Sequence, residues 1–317
     1  MNPAPVALFV HNRPAHTERT LRALRANDLA SETELYVFSD GPRRPEAAHA
    51  VAEVRSLLRN LAGFKRVVVR ERERNMGLAE NTIAGLTEVI SEHGRVIMVE
   101  DDNVASPHFL RYMNDGLSVY ERDEDVISIH GYIYPVGAPL PETFFIRGAD
   151  TWGWATWKRG WDLFERDGQK LLDEIQARGA AREFNFGGAY NFLGLLKDQI
   201  RGRNDSWSIR WYASAFLKNK LTLYPGRSLV KNIGFDATGT HCSVDTDALD
   251  VDVADRPVKV ERQAIRENPE ARRLMARYLR TLKLRLFWSF LKTRVKVGVP
   301  RGAPAPVASH AKVDGRE

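Results

Sequence analysis

The stretch Arg95-Val96-Ile97-Met98-Val99-Glu100-Asp101-Asp102 decides the fold. Val96 to Val99 form a continuous apolar run, which reads as a strand from Arg95 to Val99 covered on both faces. Just upstream, the spacing from about Ala79 to Glu92 is helical. Toward the N-terminus, Val67-Val68-Val69 reads as another strand and 46–61 as a helix. Leu35-Tyr36-Val37-Phe38 is a strand closed by Ser39-Asp40-Gly41-Pro42. Val6 to Val10 is the first strand, followed by the turn His11-Asn12-Arg13-Pro14 and by Thr20, Leu21 and Leu24 at helical spacing. Strands alternating with helices predict an α/β fold of βαβ units with a mostly parallel sheet. Ligands of such a sheet bind beyond the carboxyl ends of its strands. Chemistry is therefore expected at Asn12-Arg13, Asp40-Gly41 and Glu100-Asp101-Asp102.

A chain of 317 residues, 43% hydrophobic and 28% charged, can bury a large core without disulfides or metal staples, which excludes disordered, collagenous and disulfide-framed classes. Its single cysteine, Cys242, makes no intramolecular disulfide and fits a reducing compartment. The first residues lack a basic stretch, and Val6 to Val10 is too short for a signal peptide or a membrane span, so a cytoplasmic location is expected. The net charge of +6 is local, because 272–301 holds ten Lys and Arg and no Asp or Glu, leaving 37 basic against 41 acidic residues elsewhere. With no helix-turn-helix, RNP or zinc-finger spacing and no repeat, nucleic acid is not an expected partner.

Three acids at a strand end repel one another unless a cation or a positive ligand neutralises them. An oxygen-only set of this kind suits Mg2+ or Mn2+ held jointly with a substrate diphosphate. The same residues also suit an acidic N-cap for a helix starting near Ser106-Pro107, and spacing leaves both readings open.

The run Val96 to Asp102 followed by Ser106-Pro107-His108-Phe109-Leu110-Arg111-Tyr112-Met113 resembles the strand and acidic motif of GT-A fold glycosyltransferases, the bacterial family 2-like enzymes and the eukaryotic N-acetylglucosaminyltransferase I group. Further segments resemble that group in the same order. They are Val10 to Pro14, Val37 to Gly41, Arg74-Asn75-Met76-Gly77-Leu78, Thr151 to Trp157, Ile209 to Ser214 and Gly239 to Cys242. The resemblance spans about Val6 to Cys242 and implies a Rossmann-like GT-A sheet with an irregular, Trp-rich acceptor side. It implies a metal-dependent, inverting transfer from a nucleotide-sugar, a UDP-sugar for preference, to a glycan or lipid-linked acceptor in surface polysaccharide assembly.

Carried over residue by residue, the resemblance gives Arg13 to the donor diphosphate, a role its bidentate guanidinium suits. It gives Asp40 to the uracil ring, Glu100 and Asp101 to the ribose and sugar, and Asp102, with His241, to Mn2+ or Mg2+. Asp150, which precedes Gly153-Trp154, corresponds to the catalytic base, with Asp236 and Asp205 as the other candidates. Trp152 and Trp207 are candidate acceptor platforms, since indole faces stack on pyranose C–H faces. Trp154, Trp157 and Trp161, at i, i+3 and i+7, read as a buried helical stripe.

The basic, amphipathic stretch 272–296 reads as a helix lying on anionic lipid at the inner face of the cell membrane, or else as one docked on the catalytic domain. The expected division is a transferase domain over 1–245, with a nucleotide-sugar half to 102 and an acceptor half from 103, then a helical basic extension over 246–300 and a disordered tail over 301–317. Sugar nucleotidyltransfer is a competing class, but His11-Asn12-Arg13-Pro14 lacks the G-x-G-x-R pattern of those enzymes. A noncatalytic carbohydrate- or membrane-binding protein on the same scaffold is the alternative: it would be expected to have lost the acidic triplet, which is intact, but with three candidate bases that reading stays open.

Overall fold

Residues 2–236 and 248–282 are described by a computed structural model. His241, Cys242, the domain boundary at 245, the later part of the basic stretch and the tail lie outside the described residues.

The elements run β1 (Val6–Val10), α1 (Pro14–Arg25), β2 (Glu34–Ser39), α2 (Ala48–Leu58), β3 (Arg66–Glu71), α3 (Leu78–His93), β4 (Arg95–Glu100), β5 (Asn103–Ala105), α4 (Phe109–Val119) and β6 (Val126–His130). They continue with β7 (Thr143–Arg147), β8 (Trp154–Trp157), α5 (Lys158–Trp161), α6 (Gly168–Ala177), α7 (Ala181–Phe184), α8 (Phe192–Ile200), α9 (Trp207–Leu217), β9 (Leu221–Pro225) and β10 (Val230–Asn232), and a last helix covers 269–282. The central sheet has the order β3-β2-β1-β4-β8-β6-β9-β7. β1 pairs in parallel with both β2 and β4, whereas β8 runs antiparallel to β4 and β6, and β7 antiparallel to β9. The sheet is thus mostly parallel with two reversed strands, the α/β architecture expected of a GT-A fold.

Continuous apolar strands follow from covering both faces. Val6, Leu8 and Val10 of β1 join Leu35 and Val37 of β2 and Ile97 and Val99 of β4 on one face, under α1, α2 and α4. Ala7 and Phe9, with Tyr36, Phe38, Val96 and Met98, point to the other face, where α3 and α9 pack. The central positions of these strands are buried on both faces, so no polar alternation is written into them.

The half beyond Asn103 is less irregular than its sequence suggests, because β6 to β9 complete the sheet. Trp154 and Trp157 do not form a helical stripe with Trp161. Both lie in β8, where side chains alternate, so residues three apart face opposite ways: Trp154 joins one core and Trp157 the other. Trp154, Trp161, Trp207 and Trp211 meet in one aromatic cluster, with Trp154 and Trp207 stacked at 5.9 Å between centroids.

The described part of the C-terminal region docks on the far end of the sheet. Leu274, Met275, Tyr278, Leu279 and Leu282 are buried with Phe144 and Ile146 of β7 and Tyr224 of β9. The apolar face expected to rest on lipid is, up to residue 282, spent on the protein itself. Arg272 there lies over Phe186 at 4.3 Å and pairs with Glu267. No helix among the described residues is long and apolar enough to cross a membrane.

Candidate functional site

In the order β2-β1-β4 the chain leaves β1 toward one neighbour and returns on the other side as β4, and a crevice opens between the two strand ends at this switch point. Arg13 follows β1, and the acidic triplet ends β4, with Phe9 in register with Glu100. The guanidinium of Arg13 accordingly meets both aspartates: Nη2 donates to Asp101 Oδ1 and, at 2.9 Å, to Asp102 Oδ2. Burial works against the Arg13 charge, but Asp101 and Asp102 outweigh it and hold its pKa above the ordinary arginine value. Glu100 has no such partner. Burial first, then Asp102 and Asp101, push its carboxyl up to about 8, against the pull of Arg13.

The triplet is not a helix cap, because β5 separates it from α4, which starts at Phe109. Its second support comes from far along the chain. β10 pairs with β5 and brings Asn232 and Gly234 over Asp102. Asp102 Oδ1 accepts from Asn103 Nδ2 at 2.8 Å and from Asn232 Nδ2 at 3.4 Å, while the Ile233 N–H donates to the Asp102 carbonyl. Gly234 is required by close approach, since a Cβ there would overlap Asp102 Oδ2 and stand 3.1 Å from Arg13 Nη1.

These groups line a cavity of about 780 Å³. One wall is organised by Asp40, 5% exposed. Its Oδ1 accepts from the Gly41 and Met76 N–H groups and its Oδ2 from Asn75 Nδ2 and the Gly77 N–H. Four donors fill a carboxylate, so Asp40 is the anchor of the loop before α3 and not the open acceptor expected to face a uracil ring. Gly41 allows this: a Cβ would lie 2.5 Å from the carbonyl carbon of Arg74. The opposite wall holds Asn204, Asp205 and Ser206 from the loop before α9. Asp205, a candidate base in the sequence, is engaged as a cap: its Oδ2 accepts the Ala79 N–H at 3.2 Å, supplying the first turn of α3, whose own N-cap, Gly77, has no side chain.

Trp152 also lines the cavity, half-buried and edge-on to Tyr132 and Phe235. Trp207 touches the cavity too, but it is 2% exposed and stacked in the tryptophan cluster. It has no free face for a sugar, which corrects its expected role as a platform. Asp150 is not among the residues lining this cavity; it precedes Thr151 and Trp152, which are, and its side chain is 35% exposed. Its Oδ1 accepts the Thr151 N–H at 3.0 Å, and Tyr134 O–H reaches Oδ2 at 3.5 Å. Asp236, the remaining candidate base, has Oδ2 3.1 Å from His16 Nε2.

Asn103 was not singled out by the sequence, yet it is fully buried and its Oδ1 accepts the Gly153 N–H, tying the acidic triplet to the loop that carries Asp150. Its signal was a polar residue directly after three acids. Asn232 and Gly234 had none, because only the β5–β10 pairing brings them near.

Oxygen donors from one or two carboxylates, completed by substrate phosphates, are what Mg2+ or Mn2+ takes. Three carboxylates facing a single arginine leave a negative excess that adds to burial in raising Glu100, so the residues present fit such a cation. Among the described residues no group of three or more His, Cys, Asp and Glu could hold a metal by itself, and the donor's phosphates would have to complete the shell.

Residues 6–159 match the family model described as glycosyl transferase family 2. No curated protein matches the chain. Among solved structures, S. aureus TarS is similar at 14% identity over 74% of this chain and 37% of its own, with a TM-score of 0.39. Glucosyl-3-phosphoglycerate synthase from Mycobacterium tuberculosis, in complex with Mn2+, UDP and glucosyl-3-phosphoglycerate, is similar at 15% identity over 56% of this chain and 67% of its own, with a TM-score of 0.31. This chain spans little more than a third of the length of TarS.

Proposed function

We propose that the chain, whose residues 6–159 match the glycosyl transferase family 2 model, is a family 2-like glycosyltransferase of GT-A fold that moves a sugar from a nucleoside diphosphate-sugar, a UDP-sugar for preference, to a hydroxyl of a glycan or glycolipid acceptor, with inversion. The observation that carries this reading is Arg13 set between Asp101 and Asp102 at the switch point of the sheet, beside a cavity large enough for a nucleotide-sugar.

Arg13 would exchange part of its carboxylate pairing for the donor's diphosphate oxygens, for which its planar fork is suited. Asp40 would shape the base-side wall through the loop it anchors. Asp102 would be the protein ligand of Mg2+ or Mn2+, whose charge, when bound, neutralises the departing diphosphate. On the acceptor side, the half-buried face of Trp152 would receive the sugar ring. Asp150 would take the proton of the acceptor hydroxyl as its oxygen bonds to the anomeric carbon and the carbon–phosphate oxygen bond breaks, its electron pair leaving with the nucleoside diphosphate. Asp150 is preferred for its place shortly before Gly153-Trp154, whereas Asp205 caps α3 and Asp236 faces His16.

The test is calorimetric titration of common nucleotide-sugars with and without Mn2+, on the wild type and on Asp102→Ala. Cation-dependent binding of one donor, lost in the variant, is expected; absence of binding by every donor with every divalent cation would overturn the reading.

A further inference from the structure

His130 is the last residue of β6, which runs parallel to β1 and β4, so it sits at the same carboxyl edge of the sheet as Arg13 and the acidic triplet. It is fully buried. Both of its ring nitrogens lack a hydrogen-bond partner, and the ring is held between Tyr132 and Tyr224 at 6.5 and 4.9 Å. Buried imidazoles in well-packed cores satisfy at least one nitrogen, because an orphaned polar atom costs its desolvation with nothing in return. A phenylalanine or leucine would fill this space without that cost. Among the described residues, Asp150 Oδ2 lies 4.0 Å from Nε2.

We propose that His130 is a positioning residue for Asp150, donating its Nε2–H to Oδ2 when the acceptor binds, so that Oδ1, which accepts the Thr151 N–H with one lone pair, keeps the other for the acceptor's proton. Catalytic hydrogen bonds are often long in the free enzyme and tighten in the complex, and 4.0 Å closes with a small rotation of either side chain. Tyr134 O–H, 3.5 Å from the same oxygen, completes the pair of donors. The imidazole stays neutral in this role, since burial pushes it down to about 4 against the pull of Asp150. The other titratable groups that feel Asp150 are Tyr132, Tyr134, Tyr212 and Tyr224, all raised by burial and so uncharged around neutrality. The inference rests on Asp150 being the base.

The test compares His130→Leu, His130→Gln and Asp150→Asn by steady-state kinetics and thermal melting. His130→Leu should melt no lower than the wild type, because an orphaned polar ring is replaced by an apolar side chain of similar size. Its kcat should fall roughly tenfold or more, part of the 10²–10⁴ that a whole general base contributes, with donor KM unchanged. The acid limb of its kcat profile should move to higher pH, since a carboxylate that loses a donor is easier to protonate. His130→Gln, which retains an N–H, should recover part of kcat, and it serves as the probe if the leucine variant does not fold. Wild-type kcat and an unmoved acid limb in a folded His130 variant would overturn the inference while loss of activity in Asp150→Asn upheld the base. Full activity in Asp150→Asn would instead overturn the base, and the inference with it.

Discussion

Gly234 shows how little room the acidic site leaves. Its Cα lies where any side chain would collide with Asp102, so Gly234→Ala must displace either the carboxylate or strand β10. The expected outcome is a stability loss of about 1–3 kcal/mol from overpacking, with nucleotide-sugar affinity reduced at least as much as in a variant destabilised to the same degree elsewhere. Chemical denaturation and calorimetry on the two variants check this. At this scale the sequence was most informative where residues adjoin a strand end. Arg13, Glu100, Asp101 and Asp102 could be named because each lies within three residues of the end of an apolar run, and Arg13 meets Asp101 and Asp102 in one place. Asp40 could be located in the same way, but not its full set of backbone donors, which depends on a loop 35 residues downstream. The distinction between a platform and a core tryptophan was not legible either: Trp152 and Trp207 look alike as letters, and only the packing around Trp154 separates them.

At the scale of elements, α3 depends on a cap from another part of the chain. Because Gly77 offers its first turn no side-chain acceptor, Asp205 supplies both a hydrogen bond and a negative charge at the positive end of the helix dipole. Asp205→Ala should cost about 1 kcal/mol of stability, the usual value of an N-cap, and Asp205→Asn less, both read by denaturant midpoint. The four strands β1 to β4 were legible because each is a parallel strand with an apolar centre, buried on both faces in β1, β2 and β4 and half-buried in the edge strand β3, and each appeared within two residues of its expected bounds. The strands β6 to β9 were not. They are short, two of them run against the rest, and their order in space, β8-β6-β9-β7, departs from their order in sequence. Trp154 and Trp157 mimicked a helical spacing inside one of them. The basic helix showed the same ambiguity, since an amphipathic face fits a membrane or a neighbouring sheet equally well. Phe144, Ile146 and Tyr224 take it up to residue 282.

For the molecule as a whole, the buried His130 makes acid stability a measurable property. Its folded pKa, about 4, lies below the ordinary histidine value, so the unfolded chain binds a proton that the native protein refuses. Stability from this group is therefore complete above about pH 6.5 and declines as pH falls toward 4. Glu100 acts in the opposite direction, favouring the folded state below its unfolded pKa and losing that contribution as pH rises toward 8. A comparison with His130→Leu isolates the histidine: between pH 7 and pH 4.5 the wild type should lose about 2–3 kcal/mol more than the variant in urea unfolding. The return of β10 to cover Asp102 has a consequence for biosynthesis. On the ribosome, β1 to β4 emerge first and can pair at once, but Asn232 and Gly234 leave the exit tunnel more than a hundred residues after Asp102. Until they do, the carboxylates have Arg13 but no roof, and β6 still awaits its partner β9. The segment that matches the glycosyl transferase family 2 model, 6–159, thus ends before the candidate site is closed. A nascent chain halted after residue 159 would carry the whole of the matched segment without a finished pocket.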